Sequence, residues 1–94
     1  MKYILFWEFC PEDFDKVIEK HQAFVKDREK HPDKYAEVLF KSHLIPGENK
    51  GFEIVEATSE QIVAGTAFWM GVLTLKFVPI LEAAKVIESY LKSK

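Results

Sequence analysis

Among the side chains of this 94-residue sequence that could move a proton or hold an anion, His21 and Arg28 have the most suggestive spacing. His21 falls inside an apolar stripe of Val17, Ile18, Phe24 and Val25, and Arg28 follows seven residues later on the same helical side. An imidazole and a guanidinium facing a sheet would line a pocket for an anion or carboxylate, with the imidazole able to exchange a proton near neutral pH. The plainer alternative is a histidine satisfied by one backbone carbonyl and an arginine reaching into solvent. His43, just before a turn, is the second candidate, and it too has a plain reading as an exposed strand-end residue. Trp7 and Trp69 mark the largest apolar volumes, and Trp7, His21, Arg28, His43 and Trp69 together form the set of ligand-binding candidates. His31 precedes Pro32 at a helix C-terminus, where a cation suits the dipole and needs no further role.

Other chemistries find little in this chain. Cys10 is alone, which rules out an intrachain disulfide and a multi-thiolate zinc site. Ser42 beside His43 is adjacency, whereas catalytic triads are defined by geometry. The histidines and carboxylates have no paired spacing, so neither a metal site nor a bound cofactor is expected. Gly47 and Gly51 flank a hairpin turn rather than a helix start, so there is no phosphate loop. No catalytic residue can be named, and the balance leans towards a non-enzymatic role.

Composition narrows the partners. Thirteen basic against fifteen acidic side chains give a net charge of −2, which supplies no general attraction for nucleic acid or anionic lipid. The early apolar run from Tyr3 to Trp7 is too short for a signal-peptide core and far below the ~20 residues that span a bilayer. A cytoplasmic protein is expected, without membrane contact. Amides are few (Gln22, Asn49, Gln61) beside plentiful Lys and Glu, a composition met in proteins from hot habitats.

The candidates must be positioned by short elements of one domain covering residues 1–94. Residues 2 to 10 read as a strand, and Pro11, Glu12 and Asp13 suit the start of a helix that ends near Lys30. A second strand within 36 to 45 and a third opening at Gly51 make a hairpin, with Pro46 and Gly47 at the centre of a type II turn. Thr58, with Gln61 three residues on, predicts a capping box, followed by a helix whose face carries Ile62, Thr66 and Trp69 and which stops at Gly71. Gly65 weakens that helix by about 1 kcal/mol against alanine. Phe68 points off that face, towards a second subunit or the terminal helix. Residues 72 to 78 alternate as a strand that Pro79 closes. A last helix carries Ile80, Ala84, Ile87 and Leu91. The order predicts an α+β fold of the ferredoxin-like βαββαβ plan with an extra C-terminal helix.

In that plan both main helices cover one face of the sheet. The first strand is apolar on both faces, with Tyr3, Leu5, Trp7 and Phe9 on one and Ile4 and Phe6 on the other, as expected of a strand covered twice. Four strands leave an open face of roughly 350 Å², as large as the biggest apolar patch a monomer normally exposes. The terminal helix, a second copy of the chain, or a ligand such as RNA must cover it. Glu8, Lys41 or His43, and Lys76 are the polar residues placed to point into such an interface, as ion pairs or as part of a site.

Two resemblances bear on the choice. Lys50-Gly51-Phe52-Glu53-Ile54-Val55 resembles the first half of the RNA-recognition pattern, but Glu53 and Ile54 replace its small and stacking residues and Glu56 adds negative charge, so nucleic acid is not favoured. Met1-Lys2-Tyr3 leading into Trp7-Glu8-Phe9, His43, Gly51-Phe52, Val55-Glu56-Ala57 and Phe77-Val78-Pro79-Ile80-Leu81 together resemble a family of small uncharacterised prokaryotic proteins, itself similar to the dimeric α+β-barrel group. That resemblance implies two sheets packed open face to open face in a homodimer. It also implies small-molecule binding or a structural role, with a cofactor-free monooxygenase- or isomerase-like enzyme using pocket His and Glu residues as the alternative.

Overall fold

The computed structural model describes residues 1–94 as β1 (Lys2–Glu8), a 3-10 turn (Pro11–Asp13), α1 (Phe14–Lys30), β2 (Glu37–Leu44), β3 (Lys50–Glu56), α2 (Ser59–Trp69), β4 (Thr74–Ile80) and α3 (Ala83–Lys92). The fold is α+β. All three strand pairings are antiparallel, and the sheet order is β2-β3-β1-β4. The two-sided apolar strand β1 is therefore central, and β2 and β4 are the edges.

Local chemistry accounts for the boundaries. Ile45 accepts a hydrogen bond from the Glu48 N–H at 3.1 Å, and Gly47 between them has φ +82°, the left-handed conformation that a type II turn requires. The Thr58 hydroxyl accepts from the Gln61 N–H at 3.2 Å, while the Gln61 side chain accepts from the Thr58 N–H at 3.0 Å, so the capping box forms at the start of α2. Gly71, with φ +85°, follows the end of that helix.

One expectation is corrected. β4 does not close before Pro79 but runs through it to Ile80, because β4 is an edge strand, where a residue without an N–H is tolerated. Phe68 packs within its own chain. It lies edge-on to Phe24 of α1, with centroids 5.4 Å apart, and to Tyr35 at 6.0 Å, so α2 uses two adjacent aromatics to grip α1.

The sheet's two faces differ in cover. Leu5, Val55 and Ala57 are buried under the helices with Tyr3, Val38, Ile62, Leu75 and Phe77 packed around them. On the other face Phe6 pairs in register with Phe52 and with Lys76, and nothing in the chain lies over them. Phe6 and Phe40 remain 41% and 44% exposed. Every residue of α3 is exposed as well, so the terminal helix does not shield the sheet.

The consequence appears in the whole surface. The chain exposes 7015 Å², whereas a compact monomer of 10.9 kDa exposes about 5,600 Å². Its radius of gyration is 15.7 Å against about 12 Å for a compact chain of this length. Only six residues are buried.

Candidate functional site: a cavity under the first helix

Between the two main helices and the sheet lies a cavity of about 380 Å³, in the size range of small-molecule sites. Its floor comes from alternate residues of the strands, Leu5 and Trp7 of β1, Glu53 of β3, Leu75 and Phe77 of β4, and Val38, Ser42 and Leu44 of β2. Val17, Ile18, His21, Phe24 and Arg28 of α1 form one wall, and Gln61, Gly65 and Trp69 of α2 another.

The walls are held by identifiable contacts. Phe24 stacks at a tilt on Tyr35 and Trp69, with centroids 4.7 and 5.5 Å apart. The Tyr35 hydroxyl donates to the Asp27 carboxylate, and Lys34 pairs with the same oxygen at 3.1 Å, which ties the end of α1 to the loop before β2. The hydrogen bond from Tyr35, followed by that from Lys34, holds the Asp27 carboxyl below its usual range. Gln61 donates to the Asp33 carbonyl at 3.1 Å and joins that loop to α2. On the floor, the Trp7 indole N–H donates to the Ser42 hydroxyl at 2.6 Å.

Four of the five sequence candidates, Trp7, His21, Arg28 and Trp69, line this one cavity. His43 does not. It stands on the opposite face of the sheet, stacked on Phe40 with centroids 4.7 Å apart and near Phe52 at 6.1 Å, and its Nδ1 donates to the Lys41 carbonyl at 2.6 Å. β2 pairs irregularly with β3 between Val38 and Phe40 and again between Phe40 and His43, so simple alternation fails there: Val38 and Ser42 face the cavity, whereas Phe40 between them stacks with His43 on the open face. Lys76, the register partner of Phe6, shares the open face, and Glu8 stands at the end of β1 opposite Lys50.

Glu53 was not among the candidates, although it is the acid of the cavity. Burial pushes its carboxyl above the ordinary value, and the positive charge of Arg28 partly offsets that rise. The signal was available in β3, where Gly51, Glu53 and Val55 share a face and Val55 is the most deeply buried residue of the chain. The site thus offers an apolar chamber with an imidazole, a guanidinium, a carboxyl and a hydroxyl set into its lining. No group of three or more His, Cys, Asp and Glu side chains is placed to hold a metal ion.

Comparison with known families places the chain. A family model described as a domain of unknown function, DUF3303, matches residues 1–93. The chain belongs to this family. No curated protein and no solved structure shows significant similarity to this DUF3303 member. No helix of it is long and apolar enough to cross a membrane.

Proposed function

We propose that this DUF3303 protein is a homodimeric α+β-barrel protein of ferredoxin-like plan that binds a small, mostly apolar molecule under α1. The observation that carries the binding reading is the cavity itself: 13 of its 19 lining residues are hydrophobic, yet His21, Arg28, Ser42 and Glu53 offer a few polar groups for orientation. A ligand with an apolar ring or chain and one hydrogen-bonding end fits that distribution.

The strand order β2-β3-β1-β4 and the apolar open face around Phe6, Phe40 and Phe52 support the ferredoxin-like dimer. So does the roughly 1,400 Å² of surface beyond that of a compact monomer, which exceeds the ~800 Å² per partner of a standard interface. A cytoplasmic setting suits the single, exposed, unpaired Cys10. The second reading is a cofactor-free enzyme, favoured by one observation: a potential base, His21, and a half-buried acid, Glu53, line the same chamber.

Gly65 gives the test. A Cβ at Gly65 meets no atom within 4 Å, so a leucine there has room to project without displacing the backbone. Titration with anilinonaphthalene sulfonate should quench the emission of Trp7 and Trp69 in the wild-type protein, and Gly65→Leu should abolish that saturable binding while keeping the circular dichroism of the fold. Equal dye binding by both proteins, or none by the wild type, overturns the reading. Mass spectrometry of a co-purified molecule before and after incubation separates binding, where it is returned unchanged, from catalysis.

A further inference from the structure

We infer that α3 serves the neighbouring subunit: its apolar stripe closes the mouth of the partner copy's cavity, so that each site is completed by a helix from the other chain. This rests on the homodimer proposed above and adds the element that reaches across.

Three observations carry it. The first is the helix. α3 is amphipathic, yet Val86, Ile87, Tyr90 and Leu91 are 50 to 62% exposed, a stripe that no part of its own chain covers. A ten-residue helix with a dry face and no partner is marginal in water. Its start is tied to the sheet by one exposed ion pair, Lys2 of β1 with Glu82 at the N-cap of α3, at 2.7 Å.

The second observation is the mouth. Ile18 and Leu44 line the cavity but are 44% and 56% exposed, so the chamber opens between α1 and the edge strand β2. Leu39 on the same edge is 45% exposed. The opening therefore has an apolar rim along an edge that nothing in the chain protects.

The third is topology. β4, from which α3 springs, and β2, beside the mouth, are opposite edges of one sheet. When two such sheets meet open face to open face about a twofold axis running along the strands, β4 of each copy lies across from β2 of the other. The helix following β4 then arrives at the partner's β2 edge, where a helix of about 15 Å can lie beside the strand. A second copy is the occupant that supplies helix and rim together, twice, by symmetry. The surface beyond a compact monomer's, roughly 1,400 Å² per chain, is large enough to include this contact as well as the sheet face.

The test combines mass with tryptophan accessibility, because the only two tryptophans, Trp7 and Trp69, both line the cavity. Wild-type protein should sediment at twice the 10.9 kDa chain mass and resist acrylamide quenching. Ile87→Glu with Leu91→Glu alters side chains that already stand in water within one chain, so the fold should persist by circular dichroism while quenching rises and the dimer weakens. Leu44→Glu, on the receiving rim, should reproduce the rise in quenching. Unchanged quenching in the helix variant overturns the inference, whatever its mass. Phe6→Glu separates the two proposals. If it halves the mass while the helix variant keeps both mass and quenching, the dimer stands and the role of α3 falls. A wild-type particle of single-chain mass overturns both.

Discussion

The indole of Trp7 occupies the space that a Cβ on Gly51 would need. The two residues are register partners on β1 and β3, and Gly51 is buried beneath the ring while the indole N–H reaches Ser42 on β2. The absence of one methyl group therefore lets an aromatic lie flat over three strands and form part of the cavity floor.

Gly51→Ala should push the indole off its seat, since the new methyl would also meet the backbone carbonyl of His43. The expected cost is about 1–3 kcal/mol, as for other overpacked sites. Urea unfolding followed by Trp emission checks it; unchanged stability with unshifted emission would show that the ring does not depend on this glycine.

Glu53→Gln should stabilise the protein at neutral pH. The folded-state value of the Glu53 carboxyl is raised by burial, so the fold favours its protonated form, and the penalty for the carboxylate grows as pH rises through that value. The gain from the uncharged amide should fade as pH falls below the ordinary value of 4.5. Thermal melts of both proteins between pH 4 and 8 read the difference directly, and a gap independent of pH contradicts the assignment.

Asp27→Asn should behave with the opposite sign. The lowered Asp27 value means that its contribution is present above the ordinary value of 3.8 and is lost as pH falls through the depressed one. The variant should melt lower than wild type at pH 7 and approach it in acid. Added salt should narrow the gap, because Asp27 and Lys34 are partly solvated.

Gly65→Ala should raise stability by about 0.5–1 kcal/mol, because alanine loses less backbone entropy in a helix and its methyl meets nothing within 4 Å. The same small methyl should leave dye binding measurable, unlike leucine. A destabilised alanine variant would mean that α2 moves closer to the sheet than its structure places it.

Much of the framework was legible because it depends on neighbours in sequence. The Thr58–Gln61 box, the Pro46-Gly47 turn and the end of α1 near Lys30 each follow from side chains a few positions apart. The grouping of Trp7, His21, Arg28 and Trp69 was partly legible for the same reason: helical and strand periods put each on the inward side of its own element. His43 stands on the open face, one of the two placements its strand position offered, but Phe40 joins it there only because the irregular pairing of β2 breaks the two-residue period, a feature with no mark in the residues themselves. Glu53 was passed over because a carboxylate reads as solvent-facing until its strand neighbours are known to be buried.

Local pattern determined which segments become helix and strand and which side of each is apolar, because those preferences arise from backbone sterics and side chains within a turn or a pleat of one another. Only the tertiary structure decided that the floor and walls stand far enough apart to leave a chamber, that Pro79 lies within an edge strand, and that α3 covers nothing of its own chain. Separation and partnership are set by contacts between residues distant in sequence, where many packings satisfy the same period and only the sum of fitted volumes selects one.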